Sequence, residues 1–231
     1  MNRTLNVVRL QLINRQTFLW LPLIILFGAL GLSLLVYGII AAAGVDGVKI
    51  SGGAQAPLWY FGVIGAQALT RTFPFSQAMS VTRREFFAGT LVTAGMTAVV
   101  LSTVFVIGGQ VEQATDGYGM NGYFFYMPWL WEAGPLAAGV TFFAVAMFFF
   151  VMGFWAATIF KRFGTLVLTV TLIAVSLVVV ALIGVVTLTR SWPTVIEGGA
   201  ALGAFGMALW GLLLVAVLAS SSFLTLRRAT P

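Results

Sequence analysis

The chain is expected to fold as an all-α polytopic membrane protein with six transmembrane helices, and three observations carry that expectation. Hydrophobic residues make up 60% of its 231 positions and charged residues only 8%, against about half and about a quarter in ordinary soluble domains. Its mean hydropathy is +1.04, so a soluble fold would need helices apolar on every face with almost nothing left to meet water. The apolar residues fall into six runs, each long enough or nearly so to cross a hydrocarbon layer about 30 Å thick at about 1.5 Å per residue.

Residues 1–16 lead into the first run. In NVVRLQLINRQTFLW a helix places Val7, Leu10, Ile13 and Thr17 along one stripe and Gln11 and Arg15 on another, which predicts an amphipathic helix at the membrane surface. A basic, disordered tail is the alternative. The first span, 18–43, is too long for the apolar region of a signal peptide and has five similar segments after it. The second, 57–79, opens with PLWYFGVIGAQALT and falls short of a full crossing unless it runs past Arg71 or starts in the preceding GGAQA. Pro74 is expected to bend its end. A short connection, 80–86, separates it from the third span, 87–108; a long aromatic loop, 109–134, follows. The fourth, fifth and sixth spans are 135–160, 163–188 and 199–224.

The twelve basic and six acidic residues give these spans a direction. With the N-terminus cytoplasmic, the inner side receives Arg3, Arg9, Arg15, Arg71, Arg83, Arg84, Lys161, Arg162, Arg227 and Arg228, against Lys49 and Arg190 outside. That distribution follows the positive-inside rule and makes both termini cytoplasmic, in a multi-pass protein of the cell (plasma) membrane. Asp46, Glu112, Asp116, Glu132 and Glu197 fall outside and only Glu85 inside. The net charge of +6 comes without a basic stripe interleaved with aromatics, which argues against nucleic acid as a partner. Cysteine and histidine are both absent, which excludes disulfides, Cys or His metal ligands and every catalytic arrangement built on those residues.

The stretch SVTRREFFAG concentrates three charges between two apolar spans, with Phe73 and Phe75 before it and Phe86 and Phe87 within it. An inner loop carries arginines as topological anchors; a surface element or a partner's groove would also use the phenylalanines. Together with VRLQLINRQTFLWLP at the start and SSSFLTLRRAT at the end, TFPFSQAMSVTRREFFAGT resembles the membrane-spanning subunit of ABC-2 type ATP-binding-cassette transporters, in particular the small exporter permeases common in actinobacteria. The resemblance covers the chain nearly end to end. It implies a cytoplasmic coupling helix between the second and third spans, seated on a nucleotide-binding ATPase subunit through Val81, Arg83, Arg84, Glu85 and Phe87. The chain departs from the family pattern in leaving only 189–198 between its last two spans, where many relatives carry a partly re-entrant segment.

No phosphate-loop motif occurs, so ATP and magnesium are expected on the partner and no cofactor in this chain. Six spans read as half of a pathway completed by a second permease copy, identical or not, within the membrane lipids. Gly28 and Gly31, and Gly199 and Gly203 in GAALG, are candidates for close packing between copies; Gly62 and Gly65 offer a similar face. In the 109–134 loop, Tyr123, Phe125, Tyr126, Trp129 and Trp131 are candidates for an external gate or substrate surface, with an interfacial aromatic belt as the alternative. The polar groups available within the apolar spans are mainly Ser, Thr and Gln, and a pathway lined that lightly suits a hydrophobic or amphiphilic cargo such as a drug, peptide or lipid. The expectation is thus an ATP-driven exporter subunit without a catalytic site of its own. Two other readings stay open. An ion-coupled secondary transporter would need an intramembrane ionisable group, to which only Arg71 comes close. A membrane anchor would recruit a cytoplasmic complex and move nothing.

Overall fold

A computed structural model describes residues 3–45 and 47–227. Asp46, Arg228, the remaining chain ends and the Arg3 side chain lie outside the described residues. The fold is all-α, with four helices among the described residues long and apolar enough to cross a membrane: Gln16–Ala42, Arg83–Ala114, Pro135–Leu188 and Trp192–Leu226.

Helix α1 (Arg3–Ile13) is followed by a π-helical turn, Gln16–Trp20, that runs straight into α2 (Leu21–Ala42). Helix α3 (Ala56–Gln67) likewise continues through a π-helical turn, Ala68–Thr72, into α4 (Phe73–Ala78). Each wide turn precedes a proline, Pro22 or Pro74. Proline offers no N–H to the carbonyl four residues back and its ring crowds that carbonyl, so a locally widened coil accommodates it. The bend expected at Pro74 is therefore a change of helical pitch one turn earlier, and residues 57–79 form three helical pieces in series.

Helix α5 (Arg83–Ala114) comes next, then the short α6 (Pro128–Trp131), α7 (Pro135–Leu188) and α8 (Trp192–Leu226). The 54 residues of α7 would make a rod about 80 Å long at about 1.5 Å per residue, more than twice a hydrocarbon layer. Gly164 breaks it, at φ 83° and ψ 179°, a backbone that glycine alone adopts freely. The sequence expectation ended one span at 160 and began the next at 163; the break falls just beyond. Gly203 breaks α8 in the same way, at φ 64° and ψ 174°. The last helix thus starts at Trp192 rather than 199, and 192–202 is a helical piece of its own before the break.

Three helices stop by one device. Gly44, Ser80 and Arg190 take left-handed φ values of 75°, 57° and 53°. The next N–H in each case returns to the carbonyl five residues earlier: Val45 to Ile40 at 3.3 Å, Val81 to Ser76 at 3.1 Å, and Ser191 to Val186 at 3.0 Å. These are Schellman stops, which satisfy carbonyls that the helix end would otherwise strand.

The core lies where α3, α5 and the first half of α7 meet, around the buried rings of Phe61, Phe86, Phe105, Phe150 and Phe154. A Cβ on Gly65 would collide with the Phe150 carbonyl, and one on Gly153 with the Gly62 carbonyl, so α3 and α7 touch backbone to backbone there. None of residues 165–188 is buried. A helix apolar all round must be covered by hydrocarbon or by protein.

Candidate functional site

The turn between α4 and α5 is built by a helix stop and a helix start placed back to back. After the Schellman stop at Ser80, Thr82 caps α5: its Oγ1 accepts from the Glu85 N–H at 3.3 Å, while the Glu85 carboxylate accepts from the Thr82 N–H at 2.9 Å. This reciprocal capping box fixes the direction in which α5 leaves the turn. The RREFF stretch is consequently the first turn of α5, and the residues expected to form a coupling element divide by role. Arg83 donates to the carbonyls of Arg227 at 2.6 Å and Leu226 at 3.4 Å, tying the turn to the end of α8. Glu85 serves the cap. Val81 is buried, and Phe87 packs between Phe154 and Phe223, with ring centroids 5.9 and 5.1 Å away. Arg84 alone of the five is exposed.

The four phenylalanines also divide. Phe73 and Phe86 are buried and meet edge to face at 5.1 Å, joining the two sides of the turn in the core. Phe75 is 71% exposed, and beside it Met79, which the sequence did not single out, is 58% exposed. The surface offered by the turn is thus Phe75, Met79 and Arg84. Nothing along the chain marks Phe75 as the outward one, because both faces of these helices are apolar.

Helix α1 packs on the start of α5. Its buried stripe is Val7, Val8 and Gln11, while Ile13 is 78% exposed. The expected stripe through Val7, Leu10 and Ile13 was rotated, because Gly89 of α5 leaves a hollow that the Val7 side chain fills. Gln11 then faces inward and its Nε2 donates to Thr90 Oγ1 at 2.8 Å. Its Oε1 is buried with no protein partner. Gln11 borders a cavity of ≈ 70 Å³ to which both π-helical turns contribute, through Thr17 on one and Arg71 and Thr72 on the other. That volume and its polar lining suit ordered water.

The far end of α5 carries a second built region. Glu112, fully buried, accepts from the N–H groups of Phe124, Phe125 and Tyr126 at 3.0, 2.8 and 2.8 Å. Charge-assisted bonds of this kind hold a loop firmly. The two-residue strands β1 (Lys49–Ile50) and β2 (Gly122–Tyr123) pair in parallel, Lys49 opposite Gly122, and the Tyr37 hydroxyl donates to the Tyr123 carbonyl at 2.8 Å. Lys49 Nζ adds a bond to the Met120 carbonyl at 2.9 Å. Burial first, and then the Glu112 carboxylate, push the Tyr118 phenol from the ordinary 10.0 up to about 12.

Within this cap the five candidate gate residues part company. Phe125 and Trp131 are buried against Gly108 and Gly109, where no larger residue would leave room for the rings. Tyr123 and Tyr126 are half-buried and pack on each other at 5.7 Å. Trp129 is 54% exposed and borders an apolar groove of ≈ 350 Å³ between α7 and α8, with Phe148 and Met207. Sequence reasoning listed Glu112 only as an external acid; its partners lie twelve to fourteen residues away in an aromatic run that gives no sign of them.

The glycines proposed for packing between copies are not equivalent. Gly28 and Gly31 face open space, as does the added-Cβ direction of Gly199, so these positions are unoccupied by the protomer itself. Gly203 is the residue at which α8 breaks, so Gly199 and Gly203 do not share one continuous helical face. Gly62 and Gly65 serve the α3 to α7 contact within the protomer. Comparison of the chain with protein-family models, with curated proteins and with solved structures returns no match.

Proposed function

We propose that this chain is the membrane-spanning half of an ATP-driven exporter of the ABC-2 kind, crossing the membrane six times with both termini in the cytoplasm. The broken α7 supplies two of those crossings, 135–163 and 165–188, and the α3 to α4 series supplies another. The observation that carries the reading is the set of contacts that ties the turn at 79–87 to its neighbours. Its capping box, the Phe73 to Phe86 contact and the Arg83 bonds to the end of α8 join α4, α5 and α8 at one point. A push delivered there by a partner reaches three helices together, as a mechanically driven pathway requires. Arg84, with its planar fork for a carboxylate, and the exposed Phe75 and Met79 are the docking contacts. The uncovered 165–188 and the open Gly28 and Gly31 face are surfaces for a second copy or for lipid. The cargo is hydrophobic or amphiphilic.

The test is co-purification of the full chain with an ATP-hydrolysing partner, followed by Arg84→Glu. The expected outcome is loss of partner recruitment, with the protein still inserted and folded. Arg83 is unsuited to this test because its reversal would also release the end of α8. Absence of any ATP-hydrolysing partner, or transport unchanged in Arg84→Glu, would overturn the docking assignment.

A further inference from the structure

We infer that the two arginine-lined clefts at the α5, α7 and α8 junction form one binding site for the phosphate headgroup of an anionic phospholipid. The first cleft, ≈ 470 Å³, is lined by Arg162, Leu224, Thr225 and Arg227. The second, ≈ 560 Å³, is lined by Arg83, Arg84, Phe223 and the same Arg227. Among the described residues, no acidic side chain lines either one. Four arginines thus line two clefts that share Arg227, with no carboxylate among the described lining residues, and a phosphate complements such a lining better than a neutral ligand does.

The arginines are held for such a ligand. Arg83 is tied to the Leu226 and Arg227 carbonyls, which fixes the end of α8 against the start of α5. Arg162 lies over the Phe163 ring at 4.5 Å and Arg227 over Phe223 at 5.8 Å. Stacking by its face leaves a guanidinium's N–H edge available for bidentate contact with phosphate oxygens. Thr225 adds a hydroxyl to the lining. The surroundings point to a lipid rather than a soluble phosphate. Leu224 at the cleft is 61% exposed, Phe163 is 48% exposed, and the apolar 165–188 begins beside them with no residue buried. Acyl chains cover such a surface while their headgroup reaches the arginines; a soluble anion would leave it bare. Basic pockets between membrane helices on the cytoplasmic side take anionic headgroups in this way.

The inference rests on the proposed orientation, in which this end meets the cytoplasmic leaflet, but its test needs neither ATP nor a partner protein. The full chain, purified in a zwitterionic detergent, is titrated with phosphatidylglycerol, phosphatidylcholine and glycerol 3-phosphate, with bound lipid read by native mass spectrometry and stability by thermal midpoint. Phosphatidylglycerol is expected to bind in preference to the other two and to raise the midpoint. Removing one arginine, in Arg162→Gln or Arg227→Gln, is expected to weaken it about tenfold. Arg190→Gln, in the turn after α7 and remote along the helix from Arg162, is expected to bind as the unaltered chain does. A comparison of lipid-free midpoints separates lost binding from lost folding, and Arg162→Lys, which keeps the charge but not the fork, is expected to fall between. Equal retention of phosphatidylcholine, equal binding of glycerol 3-phosphate, or phosphatidylglycerol binding unchanged in both glutamine variants would overturn the site. Failure here leaves ATP-driven export standing, and loss of the ATPase partner leaves this site standing.

Discussion

At the scale of single residues, the chain has placed two polar groups where their partners must be supplied by distant sequence. Gln11 and Thr90 are joined by a buried hydrogen bond across 79 positions, and Gln11 Oε1 has no protein partner. Thr90→Val alone would strand the Gln11 amide further, at a cost of about 1–3 kcal/mol. Adding Gln11→Met should recover most of that, because both members of the pair then become apolar together. Denaturant or thermal unfolding in detergent measures this, and a Thr90→Val variant as stable as the original would refute the pairing. Tyr118 gives a pH-dependent counterpart. Its phenol ionises near 10.0 in the unfolded chain and near 12 in the folded one, so the folded form holds its proton longer. The resulting stability is fully present below pH 10.0 and is lost as pH rises through about 12. Thermal midpoints followed across that window should fall less steeply in Tyr118→Phe, and spectrophotometric titration should lose one late-ionising phenol.

Elements in this molecule are positioned by glycines that look alike in the sequence. Gly28, Gly31, Gly62 and Gly65 all sit in apolar runs at small spacing, and all are plausible sites of close helix approach. Only the second pair meets a neighbour within the protomer. Gly65→Ala would push a methyl group into the Phe150 carbonyl and should destabilise the fold by about 1–3 kcal/mol. Gly28→Ala, in the interior of α2 with nothing to meet, should not destabilise an isolated protomer, since alanine is the better helix former by about 0.5–1 kcal/mol. A loss of dimer mass in Gly28→Ala with undiminished protomer stability would place a second copy on that face. The helix boundaries show the same division between what is local and what is not. The π-helical turns before Pro22 and Pro74 and the breaks at Gly164 and Gly203 belong to residues visible in the sequence. The α8 start at Trp192 does not follow from hydropathy, because Glu197 interrupts the apolar run there.

For the whole molecule, the arrangement to be tested is its direction in the membrane. The chain contains no cysteine, so single substitutions report on sidedness without background. Met79→Cys at the turn and Gln113→Cys near the far end of α5 both replace exposed residues. An impermeant thiol reagent applied to intact cells should label Gln113→Cys, and should reach Met79→Cys only after the membrane is opened. The reverse pattern would place the docking turn and the arginine clefts on the wrong side for an ATPase, and labelling of both in intact cells would remove the intervening crossing.

Composition and periodicity did not single out Gly164 or Gly203 as breaks, but they were enough to determine that this is an all-helical chain with segments long and apolar enough to cross a membrane, the order of those segments, and the disturbance of the helix next to Pro74. These are local properties, written within a few residues of where they act. Which faces meet was decided only by tertiary packing: Phe86 inward and Phe75 outward, Arg83 tied to α8 and Arg84 open, Glu112 closed over the backbone of 124–126. In water an apolar stripe identifies the core, but helices that are apolar on both sides carry no such mark. What tells the inner face from the outer here is shape and the pairing of a few polar groups across long stretches of chain, and neither has a period to read.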